Sequence, residues 1–385
     1  MSAPSPAVID EIDGRDVRIG ERWLADFASC DWLGLGLDEE IIDAIPYHLA
    51  RWGTGASWAF GGGATGLSAE LEAELIALVG AEDCLLAPSL RHLHAGAIPA
   101  LAAGGTLFLE DRAGPALRDG CAIAQARGAT IIPFRRTDPD ELAARLSEPW
   151  RRPGLICADG VHGLTGRVGG LLELAGLARA HGAALYIDDA HGLGVLGEHD
   201  PSESCPYGIR GSGLVNHAGL GWNGVILAAS LAGALCAPLA VLACPSPVGR
   251  TLRGAARTWR EPVSVMAVAT ALEGLRVCDR RGERLRARVY ELAAQVTACA
   301  ARLGAAVPGT GECGFPIVAL GIGETASLGE LRELLLERGI CAATASVPRR
   351  GKASRAWLRL QVTAANTDGQ IEHLEAVLAD LTARF

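Results

Sequence analysis

Between about residues 80 and 245 short apolar runs alternate with amphipathic stretches, and this alternation restricts the fold more than any other feature of the chain. CLLAPS is followed by HAGAIPALAAGG, TLFLED by PALRDGCAIAQARG, TIIPF by DPDELAARL, GLICADGV by LLELAGLARAHG, and ALYIDDAHG closes the series. Short apolar runs separated by helical-period segments predict strands joined by helical crossovers, hence a mostly parallel sheet of the α/β class. Ligands of such sheets sit beyond the carboxyl ends of the strands. The candidate site residues are therefore those that follow each run: Ser89 to His94, Glu110 to Gly114, Asp159 to Gly163, and Asp188 to His191. A helical stretch from about Glu261 to Leu303 leads into a second lobe. That lobe reads as a strand (PIVALGI), a helix (SLGELRELLLERG), two strands (ICAATASV, AWLRLQV) and a closing helix. Three segments are expected: an N-terminal arm over 1–50, a large domain over 51–285 and a smaller C-terminal α+β domain over 286–385.

Length and charge narrow the class. At 385 residues a single core is at its practical limit, which suits two lobes. The 44 acidic side chains outnumber the 35 basic ones, so the basic surplus of a nucleic-acid binder is missing, and 49% apolar residues exclude a disordered chain. A small-molecule substrate is the expectation. The eleven cysteines form no CxxC pair, so neither a disulfide framework nor a metal site is expected. The N-terminus has early acids and no apolar core of a signal peptide, which predicts a cytoplasmic protein. Val225 to Cys244 is uncharged over a length that could span a bilayer. Pro238 and Gly233 break it into two apolar blocks that suit buried strands, and no membrane span is predicted. Among the basic residues Lys352 is the single lysine.

The order WLGLGLDEEIIDA, GTGASWAFGGGATG, ADGVHGLTG, ALYIDDAHGLGVLG and LRLQVTAANT resembles the α-oxoamine synthases. These are pyridoxal phosphate (PLP) enzymes that condense an amino acid with an acyl thioester and release carbon dioxide. The resemblance implies the fold-type I, aspartate aminotransferase-like architecture. It places Asp188 at the pyridine nitrogen, His191 at the ring's phenolic oxygen, Ser89 and Ser230 among the cofactor positions, and Arg359 on the amino acid carboxylate. A carboxylate at the pyridine nitrogen keeps it protonated and makes the ring an electron sink. A guanidinium offers a planar fork of donors to a carboxylate.

The same resemblance marks departures. Where the family carries its Schiff-base lysine, the stretch Ser230, Leu231, Ala232, Gly233, Ala234 offers Gly233. The ring-stacking histidine aligns with Gly114, an asparagine with His94, and the Ser-Arg pair before the glycine-rich turn with Trp58 and Ala59. Lys352 lies in a basic loop with Arg349, Arg350 and Arg355, suited to a solvated surface or to the phosphates of a coenzyme A or carrier-protein arm. The expectation is that covalent PLP is absent and PLP unlikely as a Schiff base.

His92, His94, His162 and Cys236 occupy emptied positions beside Asp188 and His191. Histidines near a carboxylate suit general-base acyl transfer, with Asp188 orienting His191. The set His191, Asp188, His94 and His162 is therefore expected to be catalytic, acting on an acyl-CoA or acyl carrier protein thioester without covalent PLP. Two alternatives stand beside this reading: a silent subunit paired with a lysine-bearing paralogue, and chemistry with noncovalent PLP. A homodimer is expected, or a heterodimer in the silent-subunit case.

Overall fold

The computed structural model describes residues 8–55, 65–199, 205–255, 261–304, 314–322, 328–349 and 352–384. They fall into two units: one from Met1–Leu37, Gly163–Val168 and Arg284–Phe385, the other from Asp38–His162 and Gly169–Glu283. The arm expected over 1–50 is therefore divided at 37/38, and its first part belongs with the C-terminal residues. Trp58, Ala59 and Arg350 lie outside the described residues.

The chain begins with an antiparallel meander of β1 (Glu11–Asp13), β2 (Asp16–Ile19) and β3 (Arg22–Phe27). Its turns use Gly14 and Gly20 at φ 54° and 62°, where only glycine is unstrained. Helices α1 (Glu39–Trp52) and α2 (Gly66–Val79) precede the alternating region, and Thr65 caps α2 by accepting from the Ser68 N–H. The alternation becomes β4 (Asp83–Ala87), α3 (Leu90–Ala102), β5 (Thr106–Glu110), α4 (Pro115–Ala126), β6 (Thr130–Phe134), α5 (Pro139–Ser147), β7 (Gly154–Asp159), α6 (Leu171–His181) and β8 (Ala184–Asp189). Then follow the short α7 (Leu214–His217), β9 (Val225–Ser230), β10 (Ala240–Cys244), α8 (Ser246–Ala255) and the long α9 (Val265–Arg302), within which the boundary between the units falls.

The seven strands of this unit run β4-β10-β9-β8-β7-β5-β6, all parallel except β10, which pairs antiparallel with both neighbours. Interior strands such as β5 and β7 are buried along their whole length, which is why they read as continuous apolar runs rather than alternating ones. The uncharged stretch 225–244 is β9, a turn and β10. Among the described residues no helix is long and apolar enough to cross a membrane. Helix α3 buries Leu93, Ala97 and Ile98 in a core shared with Leu85, Leu107, Tyr186 and Leu242.

The other unit adds β11 (Ile317–Ile322), α10 (Leu328–Glu337), β12 (Ile340–Arg349), β13 (Lys352–Gln361) and α11 (Asp368–Arg384). Its sheet runs β1-β2-β3-β12-β13-β11, with β12 parallel to β3 through Ile340↔Ala25 to Ala342↔Phe27. Phe27, Leu292, Leu320, Leu358 and Leu374 form its core.

Candidate active site

Parallel strands bring the residues that follow β4, β5, β7, β8 and β9 to one edge of the seven-stranded sheet. Asp159 ends β7 beside Asp188 near the end of β8, and the two are register partners. Along β8 side chains alternate between faces. Tyr186 and Asp188 therefore share the face that α3 covers, while Asp189 points the other way. Asp189 is fully buried and accepts from the N–H groups of Gly192 (2.8 Å) and Leu214 (3.0 Å), which makes it an anchor for the following turn. Burial pushes its carboxyl up to about 7.

The Asp188 carboxylate is held from two sides. Its Oδ1 accepts from the Ala190 N–H at 3.0 Å, and its Oδ2 lies 2.9 Å from His94 Nε2. His94, in the second turn of α3, is fully buried, and its Nδ1 lies 2.9 Å from the Tyr186 hydroxyl. An ionised carboxylate only accepts hydrogen bonds. The ring accordingly donates from Nε2 to Asp188, and the Tyr186 hydroxyl is the partner of its Nδ1. Burial, with the Asp188 charge, raises the Tyr186 phenol well above its ordinary value and keeps its proton in place.

A second acidic group lies beside this one. Both oxygens of Asp159 accept from the Gly114 N–H, at 3.0 and 2.9 Å. Burial and the Asp188 charge, opposed by that N–H, push the Asp159 carboxyl up to about 7. Glu110, at the end of β5, accepts from the Asp159 N–H at 3.1 Å and pairs with Arg136 at 3.2 Å. Arg136 also donates to the carbonyls of Asp159 and Gly169. Burial raises the Glu110 carboxyl against the pull of Arg136.

The other expected residues are distributed as follows. Ser89 caps α3, its exposed hydroxyl accepting from the His92 N–H at 3.2 Å. Ser230 is half-buried at the end of β9 and accepts from the Ala232 N–H at 3.3 Å. Gly233 is buried in the β9–β10 turn, and the nearby Cys236 takes a left-handed φ of 51°. His162 and His191 are half-buried in the segments after β7 and β8. The structure sets His94, one of the histidines expected at the site, on Asp188. Arg359 belongs to the other unit, where β13 aligns it with Ala319 and Ala343 and its Nε donates to the Gly163 carbonyl at 2.6 Å. Burial lowers its guanidinium from the ordinary value, opposed by Cys30. Lys352 opens β13 in the same unit, opposite Arg349. Among the described residues no group of three or more His, Cys, Asp or Glu is placed to hold a metal ion.

Sequence reasoning missed Tyr186 and Arg136. Tyr186 carried a signal, being the one hydroxyl in the strand ALYIDD and two residues from Asp188, which puts both on one face.

The family model for aminotransferase class I and II matches residues 56–378. An 8-amino-7-oxononanoate synthase of Pseudomonas putida is 34% identical over 376 residues, covering 94% of this chain and 88% of that protein. One of Mycobacterium tuberculosis is 31% identical over 391 residues, covering 99% and 90%. The chain belongs to the α-oxoamine synthase family. Its fold is that of fold-type I PLP transferases. A serine palmitoyltransferase of S. paucimobilis superposes with a TM-score of 0.86 at 22% identity, covering 98% of this chain and 92% of that one. An 8-amino-7-oxononanoate synthase of Francisella tularensis gives 0.76 at 18% identity, covering 94% and 98%.

These family members correct the cofactor expectation drawn from the missing lysine. The S. paucimobilis structure is a lysine-to-alanine variant with a bound PLP–myriocin aldimine, and another serine palmitoyltransferase structure shows the PLP internal aldimine. The family therefore points to PLP, and the reading of PLP as unlikely does not hold. Absence of one amine had been extended to the whole site, whereas most of what surrounds a cofactor is noncovalent.

Proposed function

We propose that this chain is an α-oxoamine synthase-type transferase that joins an acyl group, delivered as a coenzyme A or carrier-protein thioester, to an amino acid, and that it holds PLP through noncovalent contacts at the strand-end site. The family is the basis for the reaction class. The observation that carries the cofactor reading is the Asp188 carboxylate, fixed by His94 and by the Ala190 N–H at the carboxyl end of β8.

The residues present fit the cofactor. Each Asp188 oxygen accepts one donor and keeps a further lone pair for a pyridinium N–H. A Cβ at Gly114 would find its nearest neighbour, the Asp159 carboxylate, at 3.5 Å, an ordinary contact distance. Ser89 and the first turn of α3 supply hydroxyl and backbone donors for a phosphate. Bound there, PLP would supply an electron sink for carbon–carbon bond formation. Asp188 would hold the pyridinium proton, and His191 and His162 are the candidates for moving a proton at the reacting amine. Nothing covalent is available within Asp38–Glu283, because the only lysine of the chain is Lys352.

The test is a titration of the purified chain with PLP, followed by borohydride reduction and peptide mapping. Saturable binding without a covalent label, and release of free thiol from an acyl thioester when PLP and an amino acid are both present, is the expected result. No binding, or a label on Lys352, would refute the noncovalent reading.

A further inference from the structure

The imidazole of His94 bridges two residues of one strand, Tyr186 and Asp188, with 2.9 Å contacts to each. We propose that Tyr186 and His94 are positioning residues: a relay, Tyr186 O–H to His94 Nδ1 and His94 Nε2–H to Asp188 Oδ2, aims the Asp188 carboxylate at the pyridine nitrogen of PLP and sustains cofactor affinity where no lysine link exists. This rests on the PLP reading above.

Three features make the relay directional. Residues two apart on a strand point to the same side, so Tyr186 and Asp188 face one helix and a single ring reaches both. The ring is fully buried and no water competes for its nitrogens, so each must find its partner within the protein. Asp188, an acceptor only when ionised, selects the Nε2–H tautomer of a neutral ring, and the Tyr186 hydroxyl donates to the Nδ1 that this tautomer leaves free of a proton. The backbone adds a fourth constraint. A Cβ on Gly120 of α4 would stand 2.8 Å from the Cβ and carbonyl oxygen of His94, so α4 presses directly on this turn of α3 and leaves the ring no room to withdraw.

Removing one partner of a buried hydrogen bond leaves the other group unpaired, which is costlier when that group is a carboxylate. Loss of the Asp188 donor in His94→Phe should weaken PLP binding about tenfold or more, tenfold being 1.4 kcal/mol. His94→Gln, whose amide can still donate to Asp188, should recover most of the affinity. Tyr186→Phe removes one oxygen, keeps the strand packed, leaves Nδ1 without its donor, and should weaken binding by about threefold to tenfold. The readouts are the PLP dissociation constant by difference absorbance and the 15N–1H imidazole spectrum of the chain without ligand. In that spectrum a proton on Nε2 and none on Nδ1 is expected. If the unaltered chain binds PLP and all three variants match it within about twofold, or if His94 carries its proton on Nδ1, the relay is overturned while the function stands. If the unaltered chain does not bind PLP, the functional reading falls and takes the purpose of the relay with it.

Discussion

Replacing Gly120 with alanine tests the packing that sets His94 in place. Gly120 lies within α4, where alanine in place of glycine normally stabilises a helix by about 1 kcal/mol. The structure reverses that sign. The added Cβ would stand 2.8 Å from the Cβ of His94, 2.8 Å from its carbonyl oxygen and 2.9 Å from its carbonyl carbon. None of these is the flexible end of a side chain, so α3 must move by roughly half an ångström or more to reach ordinary contact distances near 3.5–4.0 Å. Overpacking costs about 1–3 kcal/mol; against backbone atoms and a Cβ the upper part of that range, about 2–3 kcal/mol, applies, and after the gain of about 1 kcal/mol in propensity the net expectation is a loss of about 1–2 kcal/mol. In a unit of this size that corresponds to a fall of roughly 2–8 °C in Tm. Gly176 in α6 supplies the comparison, since a Cβ there meets nothing within 4 Å. Gly176→Ala should raise stability by up to about 1 kcal/mol. Urea unfolding of both variants followed by circular dichroism gives the two signs directly. Equal stabilisation in both would show that α3 and α4 do not approach as described, and the placement of His94 would fall with it.

Three further outcomes are expected. Gly233→Lys, at the position where the resemblance places the family's lysine, should produce absorbance above 400 nm with PLP and a borohydride-fixed label on the peptide containing residue 233; no label would show that the turn does not present this position to the cofactor. Arg136→Ala should cost about 3–5 kcal/mol, because it leaves the buried Glu110 without its cation, and a change below about 1 kcal/mol in urea unfolding would refute that pairing. The third concerns pH. Asp159 and Asp189 have folded values near 7, above those of the unfolded chain, so between about pH 4 and 7 the folded state binds more protons. Stability from these groups is therefore full below pH 4 and declines as pH rises toward 7. Asp159→Asn should flatten that decline in urea midpoints measured from pH 5 to 8, and an unchanged slope would remove Asp159 as a contributor.

The alternation of runs made the sheet legible because each interior strand is buried on both faces and each crossover helix buries one stripe. The strand-end rule then singled out Glu110, Gly114, Asp159, Asp188 and His94 before any coordinates. Local pattern could not give what depends on distant pairing. AVLAC of β10 is as apolar as its parallel neighbours, and nothing in it states that it runs the opposite way. Residues 11–27 read as an arm because the last three of them, 25–27, pair with 340–342, more than three hundred positions later. The contact of His94 with Asp188 was equally hidden, because α3 delivers His94 across the sheet.

The adjacent acids of IDDAH divide two tasks between the faces of one strand. Sequence alone assigns two carboxylates to one corner, and the strand separates them by face. Asp189 is committed to backbone N–H groups of Gly192 and Leu214 and so holds the turn that follows β8. Asp188 faces α3, where His94, Tyr186 and the Ala190 N–H fix it. No lysine takes part in either arrangement. The separation by face has a sharp consequence for swapped residues: Asp189→Asn should lower stability, since its NH2 would face one of the two backbone N–H donors, yet leave PLP affinity within about threefold, whereas Asp188→Asn should weaken PLP by about tenfold or more with a smaller effect on unfolding. Thermal unfolding and PLP titration of the two variants measure both quantities, and the reverse pattern would show that the faces of β8 are assigned the wrong way round.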